Sequence, residues 1–495
     1  MILPYRMSRL CLCAALVVSC SIQLVGTPTN LAADEANEIG GGAAQGNGCN
    51  DPGSQLPCVC ESIDLPVSDL RNPIAACYPS ATQTPTFLLF GLFSTWSWSA
   101  LNWPVDPANG GPDYHQDLKK VVGDNATVWE SWKTASDVFL PDGSAPRAWD
   151  DPKRALPASC RAIDARAAKA RYEKASSVPD VLPPRLLGDY VNAEGDAAVD
   201  RNGEPLRYET VMNETAYDYI VDNQLYNADD LQDFFDAGKQ IHFPYAVYQV
   251  NARGSYWLKA AWKILHDSDN FDDVHKAWAY IYPVFRNGTV VSDCELKPVA
   301  LVGMHITYKL QQAREWAWGT FEHNRIAPGW HELREADDGY LLFDGDCQST
   351  KDCARINEPP RLFPRNRKSP QPSQLVMQQH HGYGYVCTLP NCSKSDVSWI
   401  NATFAEQLKS SVWSHYKLKG TQWVDTVNGN MVKPAILANT AIEPYIQSTS
   451  SCIGCHREAT IKAGSGVGEP IPRAPGSDLI FVFQKARPKL SNHSD

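Results

Sequence analysis

Between residues 244 and 323 apolar and aromatic side chains recur in short runs separated by turn signals. The runs 244–250, 255–265, 277–285, 299–308 and 315–323 are rich in β-branched and aromatic residues, and Arg253-Gly254 and Asn287-Gly288 punctuate them. Five such runs with no helical period between most of them predict a largely antiparallel sheet.

Helical period brackets this centre. Residues 86–103 are apolar on nearly every side, as in a helix enclosed by core, and Pro104 ends the run. Residues 128–139 predict a second helix with Val128, Trp129 and Trp132 on one face. The Ala/Arg/Lys-rich stretch 157–174 predicts a third. Residues 217–236 read as a helix broken near Asn227-Ala228 and stopped at Gly238. Helical period returns at 397–417, with Trp399, Phe404, Leu408, Val412 and Trp413 toward one side. A short strand at 418–426, one or two helical turns at 440–447 and a closing strand at 479–483 complete the pattern. The fold class it predicts is α+β, a largely antiparallel β-sheet body with peripheral and buried helices and a helical C-terminal segment.

The first residues read as an export signal. Arg6 and Arg9 are basic, and Leu10–Val18 is an apolar run too short to span a bilayer. Val17-Val18-Ser19-Cys20 resembles a bacterial lipobox, which would lipidate Cys20; cleavage near residue 33 is the alternative. The expected organisation is a signal at 1–20, a Gly/Ala/Asn-rich spacer at 21–57, the α+β body at 58–395 and a C-terminal segment at 396–495. No later stretch is apolar enough to cross a membrane, so contact with one is expected only through an anchor at Cys20. The chain has 495 residues and a formal net charge of −11, with no basic cluster of the kind that binds nucleic acid.

Fifteen cysteines fit an oxidising compartment. Cys11, Cys13 and Cys20 lie in the signal region and Cys452 and Cys455 in a motif near the end. The others form an even set, which implies disulfides. Cys347–Cys353 and Cys387–Cys392 are close enough in sequence to staple their own loops. The pairing of Cys49, Cys58, Cys60, Cys77, Cys160 and Cys294 stays open.

Candidate chemistry concentrates in Ser451-Cys452-Ile453-Gly454-Cys455-His456. Cys-x-x-Cys-His is the c-type haem attachment pattern: two thiols can add to the porphyrin vinyl groups, and the next imidazole can ligate the iron. The competing readings are a local disulfide beside a surface histidine and half a zinc site, which would want a second Cys/His pair. The expectation is one covalent haem c, bound by Cys452 and Cys455, with His456 as the metal ligand. No phosphate loop, nucleophile elbow or His-Glu-x-x-His motif is present.

The sixth iron position separates the possible functions. A second strong ligand favours electron transfer, whereas an open site permits small-molecule binding or peroxidase-type catalysis. Downstream of the motif there is no Met and only His493, so a sixth ligand must come from upstream. Met431 sits in a polar turn and His380-His381 in a Gly-flanked loop. His305 and His323 fall in predicted strands. By alternation His305 shares a face with Thr307 and Lys309, and His323 with Ala317 and Phe321. Each is either a hydrogen-bonded core histidine or a sixth ligand, proton donor or substrate contact. Lys259, between Leu258 and Ala260, poses the same choice against a snorkelling surface lysine.

Several stretches together resemble a known group. They are Ala100-Leu-Asn-Trp-Pro104, Val128-Trp-Glu-Ser-Trp-Lys133, Leu258-Lys-Ala-Ala-Trp262, Gly303-Met-His-Ile306, Trp318-Gly-Thr-Phe-Glu-His323, Gly420-Thr-Gln-Trp423 and Leu437-Ala-Asn-Thr440, running on to the Cys-x-x-Cys-His motif. The set, over residues from about 87 to 460, resembles exported bacterial cytochrome c family proteins with one C-terminal haem motif. The resemblance implies haem binding and an envelope location, and brings no substrate with it. The expected function is an exported monohaem c-type cytochrome that passes electrons to or from a redox partner protein in the periplasm or cell envelope. The alternatives are a haem-dependent oxidoreductase, peroxidase- or oxygenase-like, with an open sixth site for a small-molecule substrate, and a haem-based sensor or binding lipoprotein.

Overall fold

The computed structural model describes residues 87–490 apart from 164–181, 247–252, 333–338, 346–355, 360–373, 379–395, 460–475 and runs of one to four residues elsewhere. The signal, lipobox and spacer, the Cys347–Cys353 and Cys387–Cys392 pairings and His380-His381 lie outside the described residues.

The architecture is α+β, and the sheet is its centre. Nine strands join it: β1 (Lys133–Thr134), β2 (Arg185–Leu187), β3 (Arg207–Met212), β4 (Tyr256–Ile264), β5 (Lys276–Ile281), β8 (Glu295–Leu310), β9 (Ala313–His323), β10 (Tyr416–Asp425) and β11 (Met431–Lys433). Between β5 and β8, β6 (Val284–Arg286) and β7 (Thr289–Ser292) make a separate hairpin. The order is β1-β3-β4-β8-β9-β10-β11, with β5 on the first part of β8 and β2 on β5. Among the described strand pairs only β2–β5 is parallel. The stretch 244–246 forms a single bridge, Ala246 to Leu310, rather than the start of a strand.

Alternation sorts the two faces of this sheet. Tyr256, Leu258, Ala260 and Trp262 of β4, Met304, Ile306 and Tyr308 of β8, and Ala317 and Phe321 of β9 join one apolar core. Helix α1 (Phe87–Leu101) lies on that face, buried from Phe90 to its end. Its few hydroxyls are satisfied inside the core: Ser94 bonds Tyr308 and Thr421, while Thr95 and Ser99 donate to carbonyls four residues back. Gly319 permits the close approach, because a Cβ there would stand 2.6 Å from Ser94 Oγ. The other face carries Trp257, Lys259, His305, Thr307, Trp318, Thr320 and Gln422, and the C-terminal residues cover it.

The helical expectations hold in part. Residues 217–236 form two helices, α2 (Glu214–Asp222) and α3 (Ala228–Asp236), each capped by an Asn side chain, with Gly238 at φ 76° just beyond. Residues 158–163 are helical, and Cys160 within them is bonded to Cys294, pinning this turn to the start of β8. The stretch 128–139 is not one helix. A 3₁₀ turn (Val128–Ser131), β1 and one helical turn (Ala135–Val138) replace it, because Thr127 with Glu130 and Thr134 with Asp137 form two capping boxes that each start a new turn. Helix α4 (Asp396–Gln407) packs on α1 through Val397, Ile400 and Phe404, which leaves Trp399 45 % exposed. The chain is already extended by Tyr416, so the predicted helix to 417 stops about ten residues early and the strand begins sooner. Pro444 keeps 440–447 in turns, and 481–485 is a 3₁₀ turn, not a strand. Strand β10 is a full member of the sheet, and described residues before 379 and after 395 pack into the same apolar core. Among the described residues no helix is long and apolar enough to cross a membrane.

Candidate functional site

The segment from Leu437 to His456 has no strand partner; side chains of the sheet bind it instead. Asn439, fully buried, donates to Thr320 Oγ1 (2.9 Å) and the Phe321 carbonyl (2.7 Å) and accepts from the Ala441 N–H. Gly303 leaves the room, since a Cβ would stand 2.7 Å from Asn439 Oδ1. Glu322 accepts from the Thr440 N–H (2.9 Å) and pairs with Lys419 (3.0 Å). Gln422 reaches the motif itself: its Oε1 accepts from the Ile453 N–H (2.8 Å) and the Ser451 hydroxyl (3.2 Å), and its Nε2 donates to the Pro434 carbonyl (2.6 Å). Buried polar side chains matched donor to acceptor in this way fix one position for the backbone they hold.

The motif is the short helix α5 (Cys452–His456), with the Ser451 hydroxyl accepting from the Gly454 N–H. Cys452 carries a buried thiol and Cys455 an exposed one. The His456 ring lies 4.2 Å from Trp318 and 5.0 Å from Phe481, centroid to centroid. Its Nδ1 bonds the Leu479 carbonyl at 2.6 Å; because a carbonyl only accepts, Nδ1 carries the hydrogen. Nε2 has no hydrogen-bond partner among the described residues. Burial lowers the His456 pKa to about 4, so the ring is neutral at pH 7, and burial pushes the Cys452 thiol well up. A neutral imidazole with Nδ1–H tied to a backbone carbonyl and Nε2 left open is the arrangement of a metal-ligating histidine.

A polar row crosses the same face beside the motif. Register places Thr210, Lys259, His305 and Thr320 opposite one another across β3, β4, β8 and β9. His305 Nε2 bonds Glu443 Oε1 at 2.9 Å, and Glu443 Oε2 accepts from the Asn439 N–H at 2.9 Å. Burial works to raise the Glu443 pKa, but the charge and hydrogen bond of His305 outweigh it and hold the carboxyl below its ordinary value. Burial depresses the Lys259 ammonium, whose charge lies 5.2 Å from the Tyr208 ring. The charges of His305, Lys259 and Glu443 all act on the His456 ring.

Of the residues singled out by sequence, the structure therefore brings Cys452, Cys455, His456, His305 and Lys259 to one face. His323 is on the other face, against Tyr416. Its Nε2 donates to the Asp273 carbonyl (3.0 Å), its Nδ1 accepts from the Arg325 N–H (3.2 Å), and burial lowers its pKa to about 4. Both ring nitrogens are committed, which makes it a core histidine. Met431 lies on β11 with its side chain 55 % exposed. Sequence reasoning missed Glu443, Gln422 and the Leu479 carbonyl. Only Glu443 left a signal, as a lone acid inside Ala441-Ile-Glu-Pro-Tyr445.

A second buried cluster lies on the α1 face. Arg185 pairs with Glu209 (2.5 Å) and Glu130 (3.4 Å), and His275 Nε2 meets Glu130 at 3.1 Å. It ties β2 to β3 and to the turn at Val128–Ser131. Among the described residues no group of three or more His, Cys, Asp or Glu side chains is placed to hold a metal ion.

No protein-family model, curated protein or solved structure matches this chain.

Proposed function

We propose that the chain is an exported c-type haem protein of the bacterial cell envelope that transfers single electrons, as in the cytochrome c family proteins its sequence blocks resemble. Cys452 and Cys455 would hold the haem by thioethers and His456 would ligate its iron. The observation that carries this reading is the His456 ring: Nδ1 is anchored on the Leu479 carbonyl, the ring is packed by Trp318 and Phe481, and Nε2 is left for a ligand on the turn that bears both cysteines. When bound, haem supplies one-electron redox chemistry. The chain's own contribution is orientation of the ring by Leu479 and of the whole turn by Gln422. Gly454 and Cys455 are exposed, which suits a redox partner approaching at this edge. An anchor at Cys20 would keep the protein at the membrane.

The second reading is a haem-dependent oxidoreductase. Lys259 and the His305–Glu443 pair favour it, because ionisable side chains gathered beside a cofactor site are the groups that handle protons and substrates.

Export of the full chain with the c-type maturation machinery, followed by oxidised, reduced and carbon monoxide spectra, tests both. The expected product shows a pyridine haemochrome of two thioethers, and Cys452→Ala weakens or abolishes covalent attachment. A low-spin spectrum insensitive to carbon monoxide supports electron transfer, and a high-spin, carbon monoxide-binding one supports the oxidoreductase. Absence of the haemochrome overturns both.

A further inference from the structure

Two nitrogens on the covered face of the sheet have no hydrogen-bond partner among the described residues. Lys259 and His305 stand directly opposite each other on β4 and β8. Lys259 Nζ makes no hydrogen bond or ion pair with any described residue, and its one described contact of this kind is the face of Tyr208. His305 is 8 % exposed, with Nε2 bonded to Glu443 and Nδ1 buried without a hydrogen-bond partner. Glu443 is engaged elsewhere, with Oε1 on His305 and Oε2 on the Asn439 N–H, and makes no hydrogen bond to Lys259. Lys485 stands at the rim with its ammonium 3.8 Å from Asp189, and its charge acts on Lys259 as well. The carboxylates that face Lys259 therefore each have another partner: His305 and the Asn439 N–H for Glu443, and Lys485 for Asp189. What the pair lacks is an anionic acceptor. A buried ring nitrogen left without a partner, as at His305, is rare in folded proteins and marks a missing one.

We propose that Lys259 and His305 together bind a carboxylate group on this face of the sheet. An ammonium offers three donors, and an imidazole whose Nε2–H points at Glu443 has Nδ1–H to offer once protonated between two carboxylates. Lys259 keeps part of its surface accessible, so the site opens to solvent. Two sources carry this chemistry. One is a propionate of the haem, and this source rests on the haem reading above. The other is a free small carboxylic acid, which does not.

Acetate is the probe, titrated by calorimetry at constant ionic strength against chloride. The first target is the full-length chain with Cys452→Ser and Cys455→Ser, which cannot form the thioethers. Saturable acetate binding is expected, weakened at least tenfold by Lys259→Gln and by His305→Gln and restored by Lys259→Arg; thermal melting of each variant verifies that it is folded. The second target is the haem-loaded parent. Loss of acetate binding on loading, with a lower midpoint potential in Lys259→Gln, assigns the site to a propionate, because a removed positive charge disfavours the reduced form. Acetate binding that persists on loading assigns it to a free carboxylic acid. Acetate binding that is absent from the serine variant, or indifferent to Lys259→Gln in a folded chain, overturns the proposal. A chain that acquires no haem sinks the haem reading alone and leaves the first titration decisive.

Discussion

Gln422 is the side chain through which the sheet grips the Cys-x-x-Cys-His turn, and its removal has a calculable cost. Gln422→Ala deletes a fully buried amide that satisfies the Ile453 N–H at 2.8 Å and the Pro434 carbonyl at 2.6 Å. The Ser451 hydroxyl, partly exposed, can turn to water, so its loss counts for little. Two buried backbone groups left unpaired cost about 1–3 kcal/mol each. The emptied methylene space adds about 1 kcal/mol. The sum is about 3–7 kcal/mol, a large share of the roughly 5–15 kcal/mol that holds a typical domain folded. Urea unfolding followed by tryptophan fluorescence reads it as a lower midpoint at unchanged slope. Gln422→Glu adds a sign. The carboxylate still accepts from Ile453 but opposes the Pro434 carbonyl unless protonated, so its folded pKa is raised. Stability of that variant is then fully present below the ordinary glutamate pKa and lost as pH rises through the folded one. A loss below about 1 kcal/mol for Gln422→Ala would refute the claim that this amide holds the turn.

Two further outcomes follow from the same geometry. Glu194 accepts N–H groups from Tyr445 and Ile446, yet burial, aided by the charges of Glu443 and Asp196, pushes its pKa up to about 7. Its folded pKa is raised, so this group's contribution to stability is fully present below the ordinary value of 4.5 and is lost as pH rises through about 7. Glu194→Gln should erase that decline, matching the parent at pH 4 and exceeding it at pH 8 by on the order of 2 kcal/mol after allowance for solvent screening; superimposable pH profiles of the urea midpoint would count against it. Gly319→Ala drives a methyl against Ser94, whose hydroxyl is held by Tyr308 and Thr421, and should cost about 1–3 kcal/mol. On a Ser94→Ala background the cost should shrink, and a double-mutant cycle with no coupling would show that α1 does not set this contact.

The sheet was legible because alternation is a local property. The faces assigned to His305 and His323 are the observed ones, as is the helix buried at Phe87–Leu101. Signals also present in the chain went unused at 128–139, where Thr127-x-x-Glu130 and Thr134-x-x-Asp137 each announce a new turn. Pro444 likewise argued against a helix at 440–447. The site resisted for a different reason. His305 and Glu443 are 138 positions apart, and His456 and Leu479 meet across the undescribed 460–475. No periodicity encodes such pairs; only the tertiary register that lays 437–456 over β8 and β9 creates them. Cysteine arithmetic behaved the same way, for it required disulfides but could not select Cys160–Cys294.

The late position of the Cys-x-x-Cys-His motif follows from that register, and it narrows what can face a group attached there. The turn packs on β9 and β10 through Trp318 and Gln422, and the outward positions of β8 and β4 continue the same face of the sheet. On β8 these are Gly303, His305, Thr307 and Lys309. Gly303 is filled by Asn439, and Lys309 is paired with Asp478. On β4 they include Trp257, which is core, and Lys259. Uncommitted nitrogen therefore remains on His305 and Lys259. A sixth-ligand role and a carboxylate role compete for the same His305 Nδ1, since Nε2 is held by Glu443. The two make opposite demands on the variants. If His305 ligates iron, His305→Gln changes the spin state of the loaded chain and Lys259→Gln does not. If the pair holds a haem propionate, both variants lower the midpoint potential and neither alters the spin state.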